Sequence, residues 1–141
     1  MPTDADLANL ASDLRLACMR ISRRVRFESA NALAPHAFSV LARLGEQPRT
    51  PRELADIERV SAPSMTRTTT ALVERGLIDR APDPEDGRCV ILSLTAQGEA
   101  LLAQTRAARD GWMSSRVATL SRAERDVLRE AVQILAKVAE Q

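Results

Sequence analysis

Tyrosine is absent from the 141-residue sequence, and aromatic residues make up only 2% of it. A pocket walled by phenolic hydroxyls is therefore excluded. There is one histidine, there are five glycines, and no glycine-rich phosphate loop is present. Nothing in the chain assembles a nucleophile, a base and an orienting group, so an enzyme is not expected. The two cysteines, Cys18 and Cys89, lie far apart and form neither a disulfide framework nor a metal pair. No metal and no cofactor are expected. No uninterrupted apolar run approaches the roughly 20 residues of a membrane span, and the N-terminus lacks a basic-then-apolar leader. A cytoplasmic protein without membrane contact is the expectation.

What is present is a globular balance, 45% hydrophobic and 28% charged, with material for one domain. The net charge of +1 does not announce a nucleic-acid binder. Residues 47–95 hold seven arginines (49, 52, 59, 67, 75, 80, 88) against eight carboxylates (53, 56, 58, 74, 79, 83, 85, 86). Any phosphate contact must therefore rest on cations placed locally at the contact face.

The chain is organised around residues 61–95, SAPSMTRTTTALVERGLIDRAPDPEDGRCVILSLT. Ser61 is a helix N-cap and Pro63 falls in the first turn, where its missing donor costs little. Met65, Thr69, Leu72 and Val73 recur at helical spacing and form the face to bury. Gly76 suits the left-handed position that ends a helix. Leu77 to Ala81 and Cys89 to Leu94 read as strands on either side of the turn-rich Pro82–Gly87. The outward helix face carries Ser64, Arg67 and Thr70, groups able to reach base edges and phosphates. A recognition helix followed by a wing is the pattern.

Residues 4–30 place Leu7, Leu10, Leu14, Ala17, Cys18, Ile21 and Val25 on one stripe of a long amphipathic helix, with arginines on the other face. Pro35 opens a second helix through Phe38, Val40, Leu41 and Leu44, with Gly45 as its stop. Thr50-Pro51-Arg52-Glu53 is a capping box that opens a short helix ending near Glu58 or Arg59. The tight link to the next helix makes a helix-turn-helix. Thr95 caps a further helix with Gly98 in its first turn and Gly111 as a kink point. Ser121-Arg122-Ala123-Glu124 is a second capping box, before a helix striped with Val127, Leu128, Ala131, Ile134, Leu135 and Val138.

The expected fold class is mainly α with a small β-wing, a winged helix-turn-helix flanked by N- and C-terminal dimerisation helices. The expected domains are an N-terminal dimerisation helix at 1–34, a DNA-binding domain at 35–98 with its wing at about 79–92, and C-terminal dimerisation helices at 99–141. The terminal stripes hold more apolar surface than one thin subunit can bury, and two-fold pairing is the commonest solution.

These residues resemble the MarR family of bacterial transcriptional regulators over nearly the whole length. The resemblance is carried by Leu54-Ala55, Val60-Ser61, Thr66-Arg67, Leu72-Val73-Glu74-Arg75-Gly76-Leu77-Ile78, Arg80, Asp83 to Arg88, and Leu94-Thr95 with Gly98. It implies a homodimer, a repressor that binds a palindromic double-stranded DNA operator. It places Ser61, Pro63, Ser64, Thr66, Arg67 and Thr70 at the major groove, with Arg75 as a structural or phosphate contact. Arg88 would be the minor-groove arginine, and Asp86 would orient the wing. A second arginine common in relatives is replaced here by Gly87. The resemblance also implies release by a small aromatic ligand, for which Phe27, His36, Phe38 and Trp112 are the candidate lining. Two alternatives stay open: a redox-sensing regulator acting through Cys18, and a winged-helix module that binds protein and no DNA. Cys89 is expected to serve packing.

Overall fold

The computed structural model describes residues 1–28 and 33–141. The elements run α1 (Asp4–Glu28), α2 (Pro35–Glu46), α3 (Pro51–Glu58), α4 (Ala62–Glu74), β1 (Ile78–Pro82), β2 (Val90–Leu94), α5 (Ala96–Val117) and α6 (Arg122–Glu140). The chain divides into two compact units: a head, Ser29–Ala107, and arms formed by Met1–Glu28 with Ala108–Gln141. The mainly helical class with a small hairpin is as expected. No helix among the described residues is long and apolar enough to cross a membrane.

In the head, Pro35 takes the first turn of α2, whose Val40, Leu41 and Leu44 are buried. Contrary to the expected stop, α2 runs through Gly45 to Glu46. A Cβ at Gly45 would lie 2.7 Å from the Leu102 side chain. This glycine serves close packing of α5 on α2 rather than helix termination. The Thr50 hydroxyl accepts the Glu53 N–H at 3.1 Å and caps α3. The expected box is realised with a different return contact, since the Thr50 hydroxyl itself donates to the Glu53 carboxylate. Leu54 and Ala55 of α3 close the same core as α2. Glu58 at its end accepts hydrogen bonds from the Ser39 hydroxyl at 2.6 Å and Arg43 Nε at 3.3 Å, tying α3 to α2.

Ser61 caps α4 as expected, accepting the Ser64 N–H. Met65, Thr69 and Leu72 are buried. Gly76, at φ 72°, ends the turn, and Leu77 N–H closes it on Leu72 O at 3.0 Å. The antiparallel β1–β2 ladder then pairs Ile78 with Leu94 and Pro82 with Val90, each strand starting one residue later than expected. On the other side of β2, Arg49 and Leu92 exchange both backbone hydrogen bonds, at 3.0 and 2.8 Å. This stitches the wing to the start of α3, and Leu92 is fully buried there.

Thr95 caps α5 by accepting the Gly98 N–H at 3.0 Å, and its own proton goes to Gly76 O at 2.6 Å. A Cβ on Gly98 would sit 2.0 Å from Leu77 O, so this position requires glycine for the approach itself. The end of α4 and the start of α5 are thus one joint. α5 continues through Gly111 without interruption, and a Cβ there would meet nothing within 4 Å.

The arms differ in character. α1 begins with a reciprocal Thr3–Asp6 cap, at 2.9 and 3.2 Å, and α6 begins with the complete Ser121–Glu124 box. No residue of α1 or α6 is buried. Leu10, Val127 and Ile134 are 65%, 66% and 60% exposed. Cys18, expected on a buried stripe, is exposed because the stripe itself is uncovered.

Candidate nucleic-acid interface

The local chemistry of α4 orients its side chains. Met65, Thr69 and Leu72 point to the core, so residues on the far side of the wheel must face outward. Ser61, Pro63, Thr66, Arg67 and Thr70 are exposed there, and Ser64 is half-buried. Arg75 is the exposed C-cap residue, at the other end of the helix. Thr69 stands where an aliphatic residue would be ordinary. Its hydroxyl is satisfied by Met65 O at 3.0 Å and Thr66 O at 3.2 Å, which lets a polar group occupy a fully buried site.

The wing tip is a compact set of local bonds. The Asp86 carboxylate accepts the Arg88 backbone N–H at 3.1 Å and its Nε at 3.2 Å. These bonds to Arg88 hold the Asp86 carboxyl below its ordinary range. The Arg88 side chain is 92% exposed, so its guanidinium is anchored at Nε while the rest projects from the protein. Cys89 is exposed rather than packed, and its thiol reaches Asp86 Oδ2 at 3.7 Å. The charge on Asp86 pushes that thiol up, away from the reactive thiolate. Gly87 has open space around it.

A groove of about 530 Å³ lies beside α4 within the head. Ala37, Val40, Met65 and Leu72 line it, and His36, Arg67 and Arg75 also border it. Of the expected ligand residues only His36 faces this groove. Phe38, two residues on, is turned by the helix and packs on the core. Phe27 and Trp112 belong to the arms; Phe27 is 76% exposed and Trp112 lies under the Arg116 guanidinium, 4.9 Å from the ring centroid. Among the described residues no cluster of metal-binding side chains is formed.

Sequence reasoning missed three features of this surface: the Arg49–Leu92 bridge, the second partner of Thr95, and the Ser39–Glu58–Arg43 tie. The last two carry no local signal, since each joins residues 15 or 19 positions apart. The arrangement as a whole is an exposed polar helix face with one long cation, beside a hairpin that projects a second cation.

The MarR family profile matches residues 33–90. An HTH-type transcriptional regulator of Mycobacterium bovis, itself uncharacterized, is 46% identical over 94% of this chain and 93% of its own. A counterpart from Mycobacterium leprae is 41% identical over 98% and 97% of the two chains. Among solved structures, a MarR family protein from Bacillus stearothermophilus matches all of both chains with a TM-score of 0.87 at 20% identity, a likeness of fold.

Proposed function

The chain belongs to the MarR family of helix-turn-helix transcriptional regulators and is not an enzyme, and from that premise we propose that it is a cytoplasmic repressor that binds a palindromic operator as a homodimer. The observation that carries the reading is the pairing of an exposed Arg67 on a polar helix face with Arg88 anchored at Nε on the wing. Arg67, with Ser61, Pro63, Ser64, Thr66 and Thr70, lies in the major groove, where an arginine fork suits guanine O6 and N7. Arg88 enters the minor groove, where a narrow A·T-rich stretch concentrates negative potential, and Asp86 holds its base in place. Arg75 contacts a phosphate. Three cations per head are few for a duplex ligand, so doubling them in a dimer is part of the affinity. The uncovered stripes of α1 and α6 supply the surface for that pairing.

Release by a small aromatic acid is the accompanying proposal. The groove offers apolar contact from Val40, Met65 and Leu72, with His36, Arg67 and Arg75 to take a carboxylate. Because Arg67 borders both the groove and the outward face, a bound acid would compete with DNA for the same guanidinium.

The test is binding of a labelled fragment from upstream of the protein's own gene, over a range of salt concentrations, with Arg67→Ala and Arg88→Ala alongside. Tight binding that weakens steeply with salt is expected, because released counterions set that slope. Arg88→Ala should lose affinity on all sequences, and Arg67→Ala should also relax discrimination by about 1–3 kcal/mol. Failure to select any fragment from a genomic pool would overturn the regulator's operator reading and favour a protein-binding head.

A further inference from the structure

Three of the four threonines between Thr66 and Thr70 commit their hydroxyl protons to α4 itself. Thr66 Oγ1 donates to Ala62 O at 3.0 Å, and Thr68 Oγ1 to Ser64 O at 3.2 Å. Thr69 Oγ1 lies at 3.0 Å from Met65 O and 3.2 Å from Thr66 O. Thr69 is fully buried and Thr68 is half-buried against the groove, so of these three only Thr66 is exposed. Its donor is spent, so what it offers outward is its methyl and an oxygen that can only accept. Thr70 differs. The carbonyl one turn before it, Thr66 O, accepts the Thr70 N–H in the ordinary helical pattern and also faces the Thr69 hydroxyl. Among the described residues the exposed Thr70 hydroxyl takes no partner within the protein, which leaves it to an outside one.

Neighbouring residues of one type thus offer different chemistry. A hydroxyl is indifferent among bases, because it gives or accepts as required, whereas a methyl in the major groove finds its complement in the C5-methyl of thymine. We infer that Thr66 is a specificity determinant that selects a thymine in each half-site through methyl–methyl contact, while Thr70 adds hydrogen bonding with little base preference. This assignment rests on the operator reading above and adds to it the identity of one base.

The experiment starts from a random-sequence duplex pool enriched on the wild-type protein, and then replaces each thymine of the enriched site by deoxyuridine, one position at a time. Uracil pairs as thymine does and lacks only the methyl. One position per half-site should weaken wild-type binding, by about fourfold for one methyl-sized group withdrawn from contact. Thr66→Ser, which keeps the hydroxyl and drops the methyl, should bind the thymine site about that much more weakly and no longer distinguish uracil there. Thr66→Val, which keeps a methyl and loses the hydroxyl, should retain the distinction. Thr70→Ser should leave the thymine-to-uracil ratio unchanged at every position. Thermal melts of each variant separate a lost contact from a loosened helix, and an unchanged ratio in a folded Thr66→Ser protein overturns the assignment. So does a wild type indifferent to uracil throughout an enriched site. A pool that enriches nothing overturns the operator reading and takes this assignment with it.

Discussion

In the head, Leu41, Leu54 and Leu92 are fully buried, while in the arms Leu10, Val127 and Ile134 keep 60–66% of their surface exposed. Both regions carry apolar residues at helical spacing. The difference lies in what surrounds the stripe. In the head, α2, α3, α4, the hairpin and the first turns of α5 meet from several directions, so each stripe finds others to cover it. In the arms, α1 and α6 present theirs to solvent within the single chain. A periodic apolar face states that a helix will be covered, but not whether the cover comes from the same chain.

The largest effect that tests this contrast is core truncation. Leu41→Ala should lower head stability by about 2–5 kcal/mol, read from denaturant unfolding. Ile134→Ala should change the unfolding of an isolated chain by less than about 0.5 kcal/mol. Ile134→Glu should instead shift the mass measured by light scattering from two chains to one, with the helical circular dichroism of the head retained. A monomeric wild type would break the comparison, because the arms would then be uncovered in solution too.

Next come the two glycines of α5, one in each unit. Gly98→Ala in the head drives a Cβ into Leu77 O, and should cost about 1–3 kcal/mol in thermal unfolding. Gly111→Ala in the arms meets nothing, and should be neutral or stabilising by up to about 1 kcal/mol through helix propensity. Equal effects of the two would deny the α4–α5 joint its close approach.

Capping is a smaller and more even probe. Thr50→Ala in the head and Ser121→Ala in the arms should each cost about 1 kcal/mol, because each hydroxyl accepts an otherwise unpaired N–H. The Ser121 loss should shift the helix signal of α6 with little change in the head's unfolding.

The smallest expected effect is that of pH. Asp86 in the head and Glu124 in the arms are both held below the ordinary carboxylate range, by bonds to Arg88 and Ser121. Each contribution is present above the unfolded carboxylate value and lost as pH falls through the lowered folded one. Amide chemical shifts of Arg88 and Ser121 should titrate together on the acid side of ordinary carboxylates. Asp86→Asn should abolish only the first.

The glycines show how far the letters could be read. Gly76 was legible as a helix stop, because its left-handed φ follows from the local end of α4. Gly45 was expected to do the same and instead lies inside α2, against Leu102, which comes from far along the chain. One residue type answers two needs, backbone freedom and absence of a side chain, and only the second depends on a distant neighbour. The wing behaves likewise. Its strands and turn were legible from alternation and turn residues, while the exposure of Cys89 and its contact with Asp86 were not. His36 and Phe38 lie two residues apart, yet the α2 core face turns one to the groove and the other to the core.

By itself, then, the sequence determined helices, caps, the Gly76 stop, the hairpin and the family to which they belong. These depend on residues within a turn or two of one another, where backbone hydrogen bonds and side-chain periodicity act. The tertiary structure alone decided that Gly45 and Gly98 are contact points, that Thr95 joins α4 to α5, and that Arg67 borders a groove. Those outcomes require segments remote in sequence to arrive at the same place, and close packing leaves each such site only the volume its neighbours allow.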